Sequence, residues 1–317
     1  MGSEDQICSG DVLLFRGNSF IAWAIRAFDG TSVNHAALAL ESDLMGEADG
    51  GGLQTASISS SIKVSRCTIV RRHLSDLDPT PVVLRGQAYL QGRVPYAYQQ
   101  IVLLAILTLT RRIPLPPIGR RLVRAVLDQA AATLNELVEN GRQLMICSEF
   151  VFRCYDEAYA QASPNPYRLM IMPAGFSLGE DTLLQWALGQ NNATLPPVAG
   201  DPTFGLPADP AGAEERLAPL IAAYAAEVGS EEDLPAVPPV YGLDDSDVPD
   251  QELLRSVVTF AALFADATKP SGATFGGGDS RDALERVRAL TTDPNFVTPG
   301  DLLKTASLID RLRIADS

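Results

Sequence analysis

What most constrains this chain is the order of its local patterns, in which short strand-like runs come first and helical runs follow. Gly10-Asp11 leads into Val12-Leu13-Leu14-Phe15, an unbroken apolar run of strand length. Residues 19–28 read as a short apolar helix and 34–40 as the next strand. A turn at Ser42-Asp43 leads to a weaker strand around Glu47, closed by Gly50-Gly51-Gly52, and residues 67–71 and 81–84 read as two more strands. From 86 to 159 helices dominate, among them an amphipathic one over 120–139, where Leu122, Val126, Leu127, Ala130, Leu134 and Leu137 recur at three- and four-residue spacings. Strands and helices segregated in this way predict an α+β layer architecture, a small antiparallel sheet packed on helices, and exclude alternating βαβ units.

Beyond residue 160 the character changes. Prolines at 164, 166, 173, 196, 197, 202, 207 and 210, and again from 235 to 249, break the chain into short pieces. Between them the patterns predict helices over 178–188, 213–228 and 251–267, the second starting or kinking at Pro219. Charge divides at the same place. Through Asp156 the chain carries 15 basic and 15 acidic residues, then 10 and 24, so the whole net charge of −14 lies in the second half. The acidic runs at 231–233 and 244–247 read as solvated loops, since they lack the glycine turn and terminal Glu of a calcium loop.

This charge disfavours nucleic acid and anionic lipid, which both need positive potential. An apolar run at 101–107 lies in a 17-residue stretch without charge, 94–110, that falls short of the roughly 20 apolar residues of a spanning helix. We therefore expect no transmembrane segment and a buried core helix. The beginning, Met-Gly-Ser-Glu-Asp-Gln, lacks the basic start and apolar core of a secretory signal, which points to a cytoplasmic location. The four cysteines, Cys8, Cys67, Cys147 and Cys154, suit free thiols in a reducing compartment. Cys147 and Cys154 on one helix would be separated by roughly 10 Å of rise, beyond disulfide reach.

Scarcity narrows the chemistry. There are two histidines, His35 inside an apolar strand and His73 after Arg71-Arg72, and no Cys-x-x-Cys or His-x-x-x-His pair, so neither a metal nor a cofactor is expected. Cys147 follows Leu144-Met145-Ile146 and precedes a helical stripe of Phe150, Val151, Cys154 and Tyr155. A thiol in a first helical turn faces amide N–H groups and the positive end of the dipole, which favour thiolate. From spacing alone, Cys147 is a nucleophile or a buried, inert thiol.

Five motifs appear in order: Gly10-Asp11-Val12-Leu13-Leu14-Phe15-Arg16-Gly17, Val33-Asn34-His35-Ala36-Ala37-Leu38, Gly46-Glu47-Ala48, Gly92-Arg93-Val94-Pro95-Tyr96, and Ile146-Cys147-Ser148-Glu149-Phe150-Val151. Together they resemble the permuted branch of the NlpC-like papain superfamily, the YiiX-like amidases, over about residues 7–160. In ordinary papain-like enzymes the cysteine helix precedes the strands; in this branch a circular permutation moves it to the end. The resemblance implies a circularly permuted papain-like fold of NlpC type. Residues 1–160 would form the catalytic domain, completed by 294–313, and 161–293 would be an acidic, mostly helical insertion or accessory region. In that segment 294–313, Thr298, Pro299 and Asp301 carry the signature of a helix start, predicting a helix over 299–311.

The resemblance also implies Cys147 as nucleophile, His35 as general base and then acid, and Glu47 as the group orienting the imidazole, with Tyr96, Asn34 and Ser148 in the substrate pocket. Asn34 and Glu41 compete with Glu47 as orienters. Strand alternation turns Asn34 away from His35, and six residues of extended chain carry Glu41 roughly 20 Å along. Cys8 would mimic the unpermuted order but has no helix of its own. The implied activity is hydrolysis of amide bonds in a peptide-like substrate through a thioester. The alternatives are lipid acyl hydrolysis or transfer of the lecithin retinol acyltransferase type, on an acyl-lipid substrate, and a non-catalytic papain-like binding module using its acidic half as a protein partner surface.

Overall fold

The structure is a computed structural model that describes residues 6–50, 52–92, 96–97, 100–159, 164–171, 182–196, 210–230, 234–236, 247–268, 279–292 and 296–315. The chain begins with β1 (Val12–Arg16) and α1 (Phe20–Asp29), whose start is capped by Ser19 Oγ accepting from Ala22 N at 3.1 Å. Then come β2 (His35–Glu41), β3 (Leu44–Asp49), β4 (Gly52–Ser57), α2 (Ile58–Val64), β5 (Cys67–His73) and α3 (Thr80–Leu90). A two-residue β6 (Tyr96–Ala97) is followed by α4 (Gln100–Thr110), α5 (Pro117–Glu139), a short β7 (Gln143–Leu144) and α6 (Cys147–Asp156). The second half supplies α7 (Leu183–Leu188), α8 (Pro210–Glu227), α9 (Asp250–Ala267), α10 (Ser280–Thr292), α11 (Pro299–Lys304) and β8 (Leu308–Ala315).

Six strands form one antiparallel sheet in the order β4-β3-β2-β1-β5-β8, so the fold is α+β. Alternation along β1 explains its unbroken apolar sequence. Val12 and Leu14 join the main core with Leu38, Ala48 and Ile69, while Leu13 and Phe15 join a second core with Ala37, Met45 and Val70. The helix α2 closes that second face with Ile58 and Ile62. The main face is covered by α3 and α6, with α1, α4 and α5 stacked behind them.

The apolar run at 101–107 lies in α4, whose Ile101 to Thr110 are all buried, and no helix among the described residues is long and apolar enough to cross a membrane. Its apolar surface is consumed by α1, α5 and α7.

The acidic second half has no core of its own among the described residues. Leu217 and Ile221 of α8, Val257 and Phe260 of α9, and Leu284 and Val287 of α10 belong to the same buried cluster as the sheet. Its carboxylates meet the basic residues and amide groups of the first half. Glu214 accepts from Phe20 N and from Ile21 N, the latter at 3.2 Å, capping α1 from outside. Arg120 pairs with Asp247 at 3.3 Å and Asp250 at 2.5 Å, and Arg124 pairs with Glu252. The charge asymmetry of the sequence is thus partly an internal complementarity. The acidic runs at 231–233 and 244–246 lie outside the described residues.

Several sequence expectations change. Residues 81–84 are not a strand but part of α3, where Pro81 occupies the first turn and Val82, Val83 and Gly86 form its buried side. The β-branched pair gave that segment its strand-like look. The fifth early strand is instead β4, which pairs with β3 across the glycine turn. Helix α10, with Ala283, Leu284 and Val287 as its buried apolar side chains among the described residues, escapes a periodicity reading because half of its remaining positions are charged. Helix α8 keeps Pro219 inside it, and the portion 178–181 of the expected 178–188 helix lies outside the described residues.

The largest difference is at the end of the chain. Thr298 caps α11, its Oγ1 accepting from Asp301 N at 3.1 Å while Asp301 Oδ2 accepts from Thr298 N at 2.9 Å. The helix then stops at Lys304 and does not continue to 311. The buried Arg71 guanidinium donates to the carbonyls of Leu302, Leu303, Thr305 and Leu308 and to Asp310 Oδ1. It satisfies the orphan carbonyls of the helix end and turns the chain into β8, the outer strand beside β5.

Candidate active site

Helix α6 is held at both ends. Upstream, β7 pairs in parallel with β6, Tyr96 opposite Gln143 and Ala97 opposite Leu144. Downstream, the Tyr155 hydroxyl donates to Gly10 O. Between them Phe150 lies against Gly46, where an added Cβ would come within 3.0 Å of Leu90 Cδ1 and 3.2 Å of Phe150 Cζ. Gly46 is therefore what allows the cysteine helix to press on β3 beside Glu47.

Cys147 is the first residue of α6 and is fully buried. The cap position is Ile146, whose side chain has no oxygen to offer the first-turn amides, and Glu149 Oε2 accepts from Ile146 N at 3.3 Å. Glu149 is also paired with Arg153 at 2.7 Å. The positive end of the helix is thus directed at the thiol, which favours thiolate.

His35 opens β2 and stacks 6.0 Å from the ring of Phe15, its partner on β1. Glu47 pairs across with Ala37, one step diagonal from His35 on the same face of the sheet. His35 Nε2 donates to Glu47 Oε2 at 2.8 Å, and the imidazole also interacts electrostatically with Cys147. With Nε2 taken by Glu47, Nδ1 is the ring nitrogen left for proton exchange with the sulfur. The His35 and Glu47 side chains are 13 % and 9 % exposed, so the pair sits at the edge of solvent.

Electrostatics follow from this chain of bonds. Burial works against the imidazolium, but the charge on Cys147 and the hydrogen bond to it, with those of Glu47, raise His35 to about 10. Burial pushes the Glu47 carboxyl up, and the bond and charge of His35 together with Gln54 more than reverse that, leaving it below its usual range. These shifts favour imidazolium and carboxylate in the His35–Glu47 pair.

The residues singled out in the sequence divide clearly. Cys147, His35 and Glu47 come together. Asn34 points elsewhere: its Oδ1 accepts from Gly17 N at 2.7 Å and Arg26 Nη1 at 3.4 Å, clamping the turn between β1 and α1 rather than lining a pocket. Ser148 Oγ donates to Val297 O at 2.6 Å, away from the thiol, and ties α6 to the end of the chain. Glu41 is exposed at the far end of β2. The Tyr96 backbone lies in β6, and its side chain is outside the described residues. All four cysteines are free; Cys8 is exposed, and burial raises the Cys154 thiol far above its ordinary value. Among the described residues no group of three His, Cys, Asp or Glu is placed to hold a metal.

Sequence reading missed Gln54. It faces Glu47 directly across the β3–β4 pair and its Nε2 donates to Glu47 Oε1 at 3.3 Å, leaving Oε2 for His35. A hairpin drawn through the glycines at 50–52 would have placed it there. Because Gln54 is exposed, Gln54→Leu is expected to keep the fold while raising the Glu47 pKa and lowering that of His35. The check is an NMR titration of the His35 ring, in which an unmoved midpoint would count against this role.

No family model matches this chain, and no curated protein or solved structure is significantly similar to it.

Proposed function

We propose that the protein is a cysteine hydrolase of amide bonds with a permuted papain-like arrangement. The observation that carries this reading is His35 bonded to Glu47, at 2.8 Å, and interacting electrostatically with Cys147 at a helix start. The order along the chain, histidine and acid on neighbouring strands and cysteine on a later helix, agrees with it.

In this reading the Cys147 thiolate attacks the carbonyl carbon of the substrate. First-turn N–H groups of α6 stabilise the oxyanion, and the His35 imidazolium gives its proton to the leaving amine as the C–N bond breaks. A water then loses a proton to His35 and attacks the thioester, releasing the carboxylic acid and restoring the thiolate. Glu47 and Gln54 hold the imidazole in the tautomer and orientation these steps need.

A cavity of about 140 Å³, lined by Leu144, Ile146, Phe264 and Phe296 together with the Glu149–Arg153 ion pair, adjoins the first turn. It is well below the roughly 300–1,000 Å³ of pockets that enclose whole small ligands.

The test is alkylation by iodoacetamide at about pH 5.5, where an ordinary thiol of pKa ~8.5 is almost wholly protonated, with the modified cysteine located by mass spectrometry. Cys147 is expected to react at least tenfold faster than the exposed Cys8. Equal rates, or modification of Cys8 with none of Cys147, would favour a non-catalytic module and overturn the proposal.

A further inference from the structure

A second cavity lies away from the dyad, at the other end of α6. It encloses about 410 Å³ and is walled by Arg72, His73, Leu77, Val82, Tyr155 and Arg311, with Cys8 and Asp76 at its margin. Tyr155 stands eight residues after Cys147, which is roughly 12 Å along the helix, so the two sites share α6 but not a space. Its size falls within the range of small-molecule sites.

Three donors converge there, each fixed for a separate structural reason. Arg72 is held by Asp11, with Nε and Nη2 at 2.6 and 2.8 Å from its two carboxylate oxygens. The His73 ring lies 5.9 Å from the Tyr155 ring at 25°, and its Nδ1 accepts from Ser75 N at 3.3 Å, which leaves the proton on Nε2. Arg311 is the extra residue of a bulge: Val70 pairs with Leu312 and Arg71 with Asp310, and Arg311 drops out of the register between them. A bulge of this kind re-aims one side chain and recurs beside binding sites. Arg311 has no ion-pair partner among the described residues.

Asp11 neutralises Arg72, so the positive charge left to the cavity is that of Arg311. Asp11 is fully buried and already accepts from Arg72 and from Cys8 N at 2.8 Å. Asp76 is exposed at the rim, where solvent screens it. Leu74, Leu77, Pro79 and Val82 form the apolar part of the wall, and Ser9, Ser75 and Tyr167 add polar groups to it.

We propose that this cavity is a second binding site, for a small amphipathic anion: a carboxylate or comparable anionic head met by Arg311, His73 and Arg72, with a short apolar tail against Leu77 and Val82. The juxtaposition of the Arg311 guanidinium, an imidazole N–H and the remaining Arg72 donors with a strip of apolar side chains is what selects such a ligand over a neutral or cationic one. The proposal stands independently of the Cys147 chemistry.

Calorimetric titration of the full chain with hexanoate tests it, with hexanamide and acetate as comparators that remove the charge or the tail. Hexanoate is expected to bind with a dissociation constant of about 1 mM or below, at least tenfold tighter than either comparator. Arg311→Gln, at an exposed position that carries no fold contact, should weaken it about tenfold. Equal binding of hexanoate and hexanamide, an unchanged affinity in Arg311→Gln, or no binding of hexanoate in the low-millimolar range would each overturn the proposal. Hexyl phosphate run beside hexanoate shows which anionic head the site prefers.

Discussion

Removing residues 296–317 is expected to unfold the protein rather than trim it. Val297, Leu302 and Leu308 are buried to 0–1 % exposure, and burying each such side chain is worth about 1.5–3 kcal/mol. Their loss would be joined by the loss of every carbonyl that Arg71 contacts, leaving a buried guanidinium stripped of partners at a cost of about 3–5 kcal/mol. Ser148 would lose its acceptor, Val297 O, at the start of the cysteine helix, and β5 would become a bare edge. These terms together rival the roughly 5–15 kcal/mol by which a domain is stable at all. Thermal melts followed by circular dichroism provide the measurement, with Arg71→Met in the full chain as a milder companion expected to melt lower but cooperatively. A truncated protein that keeps its melting temperature would show that the last segment is a dispensable tail.

The second large effect is expected from His35→Ala. At about pH 5.5 an unassisted thiol of pKa ~8.5 is only about one part in a thousand thiolate, so removing the imidazolium should slow Cys147 alkylation by about 10²- to 10³-fold. The slowing should shrink as pH approaches 9, where any thiol ionises. Stability carries the same signature with a definite sign. His35 is raised to about 10 in the fold from an ordinary 6.5, so its contribution is fully present below 6.5 and is lost as pH rises through about 10. Glu47 is held low, so its contribution is present above its ordinary value of 4.5 and is lost as pH falls below it. Denaturant titrations from pH 6 to 10 should therefore show wild type losing an increment of stability that His35→Ala never had. Parallel profiles for the two proteins would mean that His35 carries no raised pKa.

Much of this protein is local information. The apolar alternation of β1, the stripe of α5, the cap of α1 at Ser19 and the Thr298-Pro299-x-Asp301 start of α11 are each set by residues within a turn or two of one another, and each is legible in the chain. So is the placement of Cys147 at a helix start, because apolar residues precede it and a helical stripe follows.

Other features depended on partners far away in sequence. Residues 308–315 have no strong local reason to be a strand, and became one because Arg71 on β5 terminates α11 and offers an open edge to pair with. Val82 and Val83 carry a strand propensity that lost to the packing of α3 against α6 and β2. Asn34 and Ser148, attractive beside His35 and Cys147 in the sequence, were turned away by the alternation of a strand and the rotation of a helix, toward Gly17 and Val297. Gln54 joined Glu47 only because the β3–β4 register sets 47 opposite 54. By itself, then, the sequence determined which segments are helix or strand wherever periodicity and caps agree, and which residue types were available for chemistry. The tertiary structure alone decided that His35, Glu47, Gln54 and Cys147 meet, and that Arg311 turns into the far cavity, because register, bulges and helix-end partners are long-range hydrogen-bonding choices that no local window contains.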